Sequence, residues 1–477
     1  MTISHRANFN LSALSVALGV VIALSTLTWG PWEDEFWTLA STARGLTVHE
    51  FLANMYQDQH PIIYYGLIYL AQAVGIGEIV ALRSLNVLGL ALVATVLLYA
   101  YRHKAIDSTQ IMLVAVLYAS SPIFLWYFSE LRGYFILYSA SISISILWLM
   151  IAQRANGARP TLSSSMIAAW GICLAIFVNL HYFATIFGGI LTLALLLMLA
   201  RRKLWRLAFV LVAVSLAAAA PALLLGALQA KFSLSGQMNW ITTNFREALR
   251  YTIRIVDYAV SSNIPAIACA AVTAMLLLED RKLRERYRNV VILILLAAVF
   301  FGMMIGLNAI VPMLWDRYLI SAAGAATVAT AFLAASARAP KWIPAATAAV
   351  AIVVQLYAIS WLEYTGRGFS PIASAIAQTK LACETAKVFA VIPSQNAAMR
   401  SLAFQYYGRQ FNFSITEITS KPLQPITAGA CPSLVWIWGT QRDVGSSATQ
   451  LIRDYDLPVG GNPVLQVIDG QFLLTIK

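Results

Sequence analysis

The sequence predicts a polytopic α-helical membrane protein with about eleven transmembrane helices and a small α/β domain at its C-terminal end. Three observations carry that prediction. Hydrophobic residues make up 60% of the 477 positions and charged residues only 11%, where a soluble domain carries roughly 25% charge. Apolar runs recur along most of the chain, near the roughly 20 residues a span requires. Basic residues gather in alternate loops, as expected when cytoplasmic loops hold the lysines and arginines. The formal net charge of +12 therefore belongs to loops and a headgroup-facing surface, and nucleic acid is not an expected partner.

Candidate spans lie near 10–29, 79–101, 109–125, 133–152, 164–180, 182–200, 207–228, 263–279, 290–312, 318–336 and 342–361. The first follows His5 and Arg6 and is succeeded by Thr28-Trp29-Gly30-Pro31, with no small-x-small cleavage site. It reads as an uncleaved anchor. The apolar stretch 61–76 is short, and charge decides its fate. If it does not span, sixteen basic residues fall on the cytoplasmic side and eight on the other, up to residue 361. If it spans, the basic runs 201–206 and 281–288 move outside, against the positive-inside bias. It is therefore expected to lie at the interface or fold back into the protein. Tyr64, Tyr65 and Tyr69 form its interfacial face, and Pro61 sits at its first helical position. This topology puts the N-terminus in the cytoplasm and the C-terminus outside. It sends Glu33, Asp34, Glu35, Glu50, Asp58, Glu78, Glu130, Glu247, Asp257 and Asp316 to the outer side.

The expected division is a transmembrane domain over 1–361 and an outer α/β domain over 362–477. In the latter, 387–392, 434–438, 464–468 and 472–476 read as strands, and 371–386 and 397–407 as helices. Asp469-Gly470 is a hairpin-turn pair. Cys173 and Cys269 fall in spans. Cys383 and Cys431 both fall in the outer domain, where an oxidising compartment permits a bridge, though sequence gives no distance between them. No Cys/His spacing matches a zinc site.

Ionised groups beside hydrocarbon are costly unless a function retains them, and five outer segments hold candidate polar groups. Asp34 and Glu35 follow the first span between Trp32 and Trp37. A carboxylate there suits a general base that takes a proton from an attacking hydroxyl; Glu50 reads as a solvated acid. Asp58 and His60 belong to a structural or substrate-positioning turn. Arg132, in Glu130-Leu131-Arg132-Gly133-Tyr134, either snorkels to headgroups, pairs with Glu130, or offers its planar fork to a phosphate. His181 precedes Tyr182 at an outer turn, as a structural or a substrate-contacting group. Arg317, in Trp315-Asp316-Arg317-Tyr318, either pairs with Asp316 or supplies a second positive charge to a leaving phosphate. Within 231–262, Arg246, Arg250 and Arg254 recur at helical spacing, facing anionic lipid, an acidic acceptor or solvent.

In order and on one side, these strings resemble the polyprenyl-phosphate-dependent glycosyltransferases of the GT-C fold. The nearest groups are the protein mannosyltransferase-like and aminoarabinose-transferase-like bacterial enzymes. The resemblance covers about residues 10–336. Asp58-Gln59-His60-Pro61-Ile62-Ile63-Tyr64-Tyr65 is similar to the family's D-x-H-P-P-L-Y-Y, with Ile62 in place of the second proline. Gly77-Glu78 and Arg83 lead into the second span, and Ser121-Pro122 with Glu130-Leu131-Arg132-Gly133-Tyr134 is similar to S-P followed by E-x-R-x-Y. His181-Tyr182 and Arg317-Tyr318 occur at similar places. The 116 C-terminal residues match no family pattern and lack the W-W-D-Y-G string of oligosaccharyltransferases.

The resemblance implies an inverting transfer of one sugar from a polyprenyl monophosphate to a hydroxyl of a glycolipid, polysaccharide or protein, at the periplasmic face of a bacterial inner membrane. Asp34 is then the base and Glu35 its assistant. Arg132 and Arg317 hold the donor phosphate. Asp58, His60, Tyr65, Glu130, Tyr134, His181 and Tyr318 position substrate. No metal or other cofactor is expected, and the partners are membrane lipid, donor and acceptor. The rival class is a transporter of a lipid-linked sugar, for which repeated halves and midplane charges would speak; the chain shows neither. A third class is an envelope-assembly scaffold with residues 362–477 as its docking module.

Overall fold

The computed structural model describes the chain apart from residues 1–2, 58–59, 158–161, 233–242, 337–338, 365–369, 393–396, 420–425, 439–446, 458, 460–462, 469–470 and 477. Its helices in chain order are α1 (Ile3–Ser25), α2 (Glu33–Ser41), α3 (Val48–Gln57), α4 (Ile62–Ala73), α5 (Ile79–Ser84), α6 (Val87–Arg102), α7 (Ser108–Ser120), α8 (Pro122–Tyr127), α9 (Tyr134–Ala155), α10 (Ser164–Val178), α11 (Tyr182–Arg201), α12 (Trp205–Phe232), α13 (Phe245–Val260), α14 (Ile264–Glu279), α15 (Arg281–Ile310), α16 (Ile320–Ala334), α17 (Ile343–Tyr364), α18 (Ser370–Ala382), α19 (Ala397–Gln410) and α20 (Ala448–Asp454). The strands are β1 (Lys387–Val391), β2 (Thr416–Ile418), β3 (Ser433–Ile437), β4 (Pro463–Ile468) and β5 (Gln471–Ile476). Inter-residue contacts divide the chain into two units. One comprises Met1–Thr28 and Arg44–Leu362, and the other Trp29–Ala43 and Glu363–Lys477.

The first unit is a helical bundle and a multi-pass membrane protein by its composition. All eleven apolar runs lie on helices, but length alone does not qualify all eleven as spans. Among the described residues seven helices are long and apolar enough to cross a bilayer, and an eighth is reached by counting the bent pair α13 and α14 as one. The run at 109–125 breaks because Pro122 disfavours helical backbone at the preceding residue. Ser121 is extended (φ −62°, ψ 132°), and Pro122 opens α8. The run at 263–279 is confined to α14 because Ser261 and Ser262 adopt left-handed backbone (φ 59° and 48°) and turn the chain by 104° from α13. The stretch at 61–76 forms the short helix α4, capped rather than opened by Pro61 (φ −62°, ψ 159°). Glu50 is exposed and completes a capping box with Thr47, accepting from its backbone N–H at 2.7 Å, which lowers the carboxyl's pKa.

Helix α9 is the core of the bundle, and its 18-residue apolar window is wholly buried. Its serines let other helices approach closely, as small residues do in membranes. A Cβ on Gly324 of α16 would lie 2.3 Å from the backbone nitrogen of Ile142. At that crossing the Ser141 hydroxyl donates to the Ser321 carbonyl (2.7 Å) and accepts from the Gly324 N–H (3.1 Å). Tyr138 likewise bonds Thr327 at 2.8 Å. These bonds satisfy polar groups that lipid cannot.

The second unit is an α/β domain with strand order β2-β1-β3-β5-β4. Strands β2, β1 and β3 run parallel, while β5 is antiparallel to β3 and β4 to β5. Strand β3 is buried throughout, as a continuous apolar run predicts for an interior strand. One sheet face packs Ile372, Ile376, Phe404 and Tyr407 of α18 and α19 over Val388, Leu434 and Trp436. The other packs Leu451 of α20 and Leu457 over Val435, Phe472 and Leu474. Cys383 and Cys431 are joined by a disulfide across 48 positions, with a Cα–Cα distance of 5.7 Å. Cys173 and Cys269 are buried and free. The expected turn at Asp469 and Gly470 lies outside the described residues, between two strands that do pair antiparallel.

Candidate active site

Two constellations emerge, one in each unit. In the bundle, turns at helix ends carry polar side chains inward from four places in the sequence. Arg132 sits in the turn between α8 and α9, is buried, and donates to the hydroxyl of Tyr65 on α4. Its guanidinium also lies 5.7 Å from the Tyr65 ring centroid, a cation–π distance. The turn is held by Asn86, buried between α5 and α6, whose amide donates to the carbonyls of Phe128 (2.9 Å) and Glu130 (2.8 Å). Glu130 is buried beside it.

Tyr134, the first residue of α9, joins Arg132's turn to two other segments. Its hydroxyl is 3.4 Å from His60 Nε2, and the Arg317 guanidinium lies 5.5 Å from its ring centroid. Arg317 also faces the ring of Trp315 at 5.7 Å. The suggested Asp316–Arg317 pairing takes another form. Asp316 accepts from the Arg317 backbone N–H (2.7 Å), and its carboxylate lies 3.5 Å from the Arg254 guanidinium. His181 caps α11. Its ring centroid is 4.9 Å from Tyr318, 5.6 Å from His60 and 6.2 Å from Tyr134.

His181 is buried, and burial is the main reason its pKa falls well below the usual imidazole value. Electrostatic repulsion from His60, Arg317 and Arg132 pushes it the same way. Its Nδ1 accepts from the Phe183 N–H at 3.2 Å. The neutral ring therefore carries its proton on Nε2, ready to donate to an anion. The bundle thus unites His60, Tyr65, Arg132, Tyr134, His181, Arg317 and Tyr318. Two guanidinium groups and an imidazole N–H among aromatic faces suit a phosphate with an adjoining apolar or sugar group. Asp58 lies outside the described residues. Asn86, Gln229 and Trp315 complete the cluster without having been foreseen. Gln229 of α12 donates to the Met55 carbonyl (2.6 Å) and approaches that of His60 (3.5 Å), anchoring the segment before α4. Arg83 donates to the Leu27 carbonyl at 2.7 Å.

The second constellation is the N-terminal turn of α2, where Glu33, Asp34 and Glu35 occupy the first three helical positions. Negative charge is favoured there by the helix dipole. Glu35 is buried and reaches back to accept from the Trp32 N–H at 3.1 Å. The turn is fastened to the α/β domain. Tyr407 of α19 donates to the Pro31 carbonyl at 2.7 Å. Phe36 is fully buried edge-on to Tyr406 and Tyr407, at 5.8 and 6.0 Å. The Thr38 hydroxyl bonds the Asp34 carbonyl at 3.0 Å. Glu33 is exposed by surface area, yet its carboxyl is crowded. Desolvation first, then the charge of Asp34, raises its pKa, while Arg400 and a hydrogen bond from Trp438 oppose the rise. Among the described residues no three His, Cys, Asp or Glu side chains are grouped to hold a metal ion.

No family model and no curated protein matches this sequence. Solved structures do resemble it. The crystal structure of ArnT from Cupriavidus metallidurans bound to undecaprenyl phosphate aligns over 97% of both chains, with 12% identity and a TM-score of 0.55. The apo state of the same protein aligns over 97% of both chains, with 12% identity and a TM-score of 0.53. The chain has the GT-C fold.

Proposed function

We propose that this protein is an inverting glycosyltransferase of the bacterial inner membrane. It moves one sugar from a polyprenyl monophosphate to a hydroxyl acceptor at the periplasmic face. The observation that carries the reading is the gathering of Arg132 and Arg317 with His60, Tyr65, Tyr134, His181 and Tyr318, of which Arg132, Tyr65, Tyr134 and His181 are buried. The likeness to a structure that holds undecaprenyl phosphate supports a polyprenyl lipid as the partner.

In this reading Asp34 takes the proton of the acceptor hydroxyl as its oxygen bonds the anomeric carbon. The carbon–oxygen bond to phosphate breaks in the same displacement, and its electron pair leaves with polyprenyl phosphate. Arg132, Arg317 and the His181 Nε2–H meet the charge that develops on that phosphate. Glu35 keeps the turn bearing Asp34 in place through its bond to Trp32. Two guanidinium groups serve a monophosphate leaving group without a metal, so transfer is expected to persist in EDTA.

The test is release of labelled sugar from a polyprenyl carrier in proteoliposomes, with envelope mass spectrometry naming the sugar and acceptor. Asp34→Asn is expected to lose roughly 10²–10⁴-fold in turnover with normal insertion. Arg132→Gln and Arg317→Gln are each expected to lose roughly 10²–10³-fold. Near wild-type transfer by Asp34→Asn would remove the base assignment. Sugar–lipid movement across the bilayer without covalent transfer would replace the enzyme by a transporter.

A further inference from the structure

Helix α13 has three distinct faces. Ala248, Ile255 and Ala259 are buried. Phe245, Leu249 and Ile253 recur every fourth residue and are 63%, 42% and 62% exposed. One residue on from each, Arg246, Arg250 and Arg254 form a parallel row, the first two exposed. A water-soluble helix would not leave three large apolar side chains open, and a transmembrane helix would not carry three arginines beside them. The turn between α13 and the apolar α14 is close to a right angle, 104°. If α14 crosses the bilayer, α13 runs nearly in its plane. From this we infer that α13 is an in-plane membrane helix whose arginine row binds the phosphates of anionic phospholipids.

The apolar row enters the acyl boundary and the adjoining arginines lie at headgroup level, the arrangement of interfacial helices. Charge complementarity and length choose the occupant. Eight residues from Arg246 to Arg254 span about 12 Å at 1.5 Å per residue, more than one phosphate covers, so the row faces a sheet of headgroups. Its inner end is fixed, since Arg254 is 3.5 Å from the Asp316 carboxylate and 5.9 Å from the Tyr251 ring centroid. Asp316 adjoins Arg317, so the lipid-binding row begins beside the cluster of the bundle. The inference rests on the helix and stands whatever reaction the cluster performs.

The test uses the full chain in nanodiscs. A nitroxide on Ile253→Cys is expected to be reached by oxygen in preference to an aqueous nickel chelate, and one on Arg250→Cys by the chelate. Preferential chelate access at position 253 would overturn the in-plane placement. Native mass spectrometry should show retained phosphatidylglycerol falling about fivefold for each arginine removed in Arg246→Gln and Arg250→Gln, with phosphatidylcholine unchanged. Unaltered phosphatidylglycerol in the double variant would overturn the phosphate contact. Displacement of that lipid by an acidic polysaccharide would do so in favour of an acceptor.

Discussion

His181 shows how much of the bundle's chemistry rests on single protonation states. In the fold its imidazole is buried and faced by His60, Arg317 and Arg132, all of which disfavour a second proton. In the unfolded chain it titrates near the ordinary value of about 6.5. The unfolded chain therefore takes up the proton first as pH falls. The stability this residue contributes is complete above pH about 6.5 and declines below it. His181→Asn retains an acceptor for the N-cap but no titration. The melting midpoint of detergent-solubilised wild type is expected to fall more between pH 7.5 and 5.5 than that of the variant, and parallel curves would contradict the buried neutral ring. His181, Arg132 and Arg317 were legible in the sequence because each interrupts an apolar pattern at a turn. Asn86 and Gln229 were not, because an amide within or beside an apolar run gives no periodic signal. Their partners lie up to 44 and 174 positions away.

At the level of elements, α2 carries the lesson. Its acids were visible at once, and their place at a helix N-terminus follows from the dipole. What the sequence did not reveal is that α2 packs with α19, hundreds of residues later, through Phe36 and the Tyr407–Pro31 bond. Nine residues with one buried aromatic look the same whether they rest on the bundle or on another domain. Phe36→Ala removes a ring at the centre of that contact. A loss of about 3–5 kcal/mol is expected for such a cavity, against about 1 kcal/mol for Tyr407→Phe, which deletes one hydrogen bond. Limited proteolysis of the full chain should show cleavage within 29–43 accelerating strongly in the first variant and mildly in the second. Equal, slow cleavage in both would mean that α2 is held by something else. The breaks at Ser121-Pro122 and Ser261-Ser262 show the same limit from the other direction. Proline marks its break in the sequence, whereas two serines in left-handed backbone do not.

Among the described residues, hydrophobic patterning located every apolar helix, because a bilayer demands length and apolarity from each crossing. It could not count the crossings, because short and bent helices satisfy the same pattern. The proposed sidedness rests on the charges, and the disulfide offers an independent test of it. Bridges persist where the compartment is oxidising, so the proposed periplasmic placement of the C-terminal unit predicts that the Cys383–Cys431 bond persists in cells. In intact cells a membrane-impermeant maleimide should modify Cys383 and Cys431 only after reduction. Cys173 and Cys269, buried in α10 and α14, should stay unmodified throughout. The bridge closes a loop of 48 positions, for which chain entropy gives up to about 4 kcal/mol of stabilisation. The Cys383→Ser, Cys431→Ser double variant should therefore lower the denaturant midpoint of the α/β unit in the full-length protein, to the same degree as reduction of the wild type. Labelling of both cysteines without reductant would break the link between bridge and compartment, and with it the outward placement of residues 363–477.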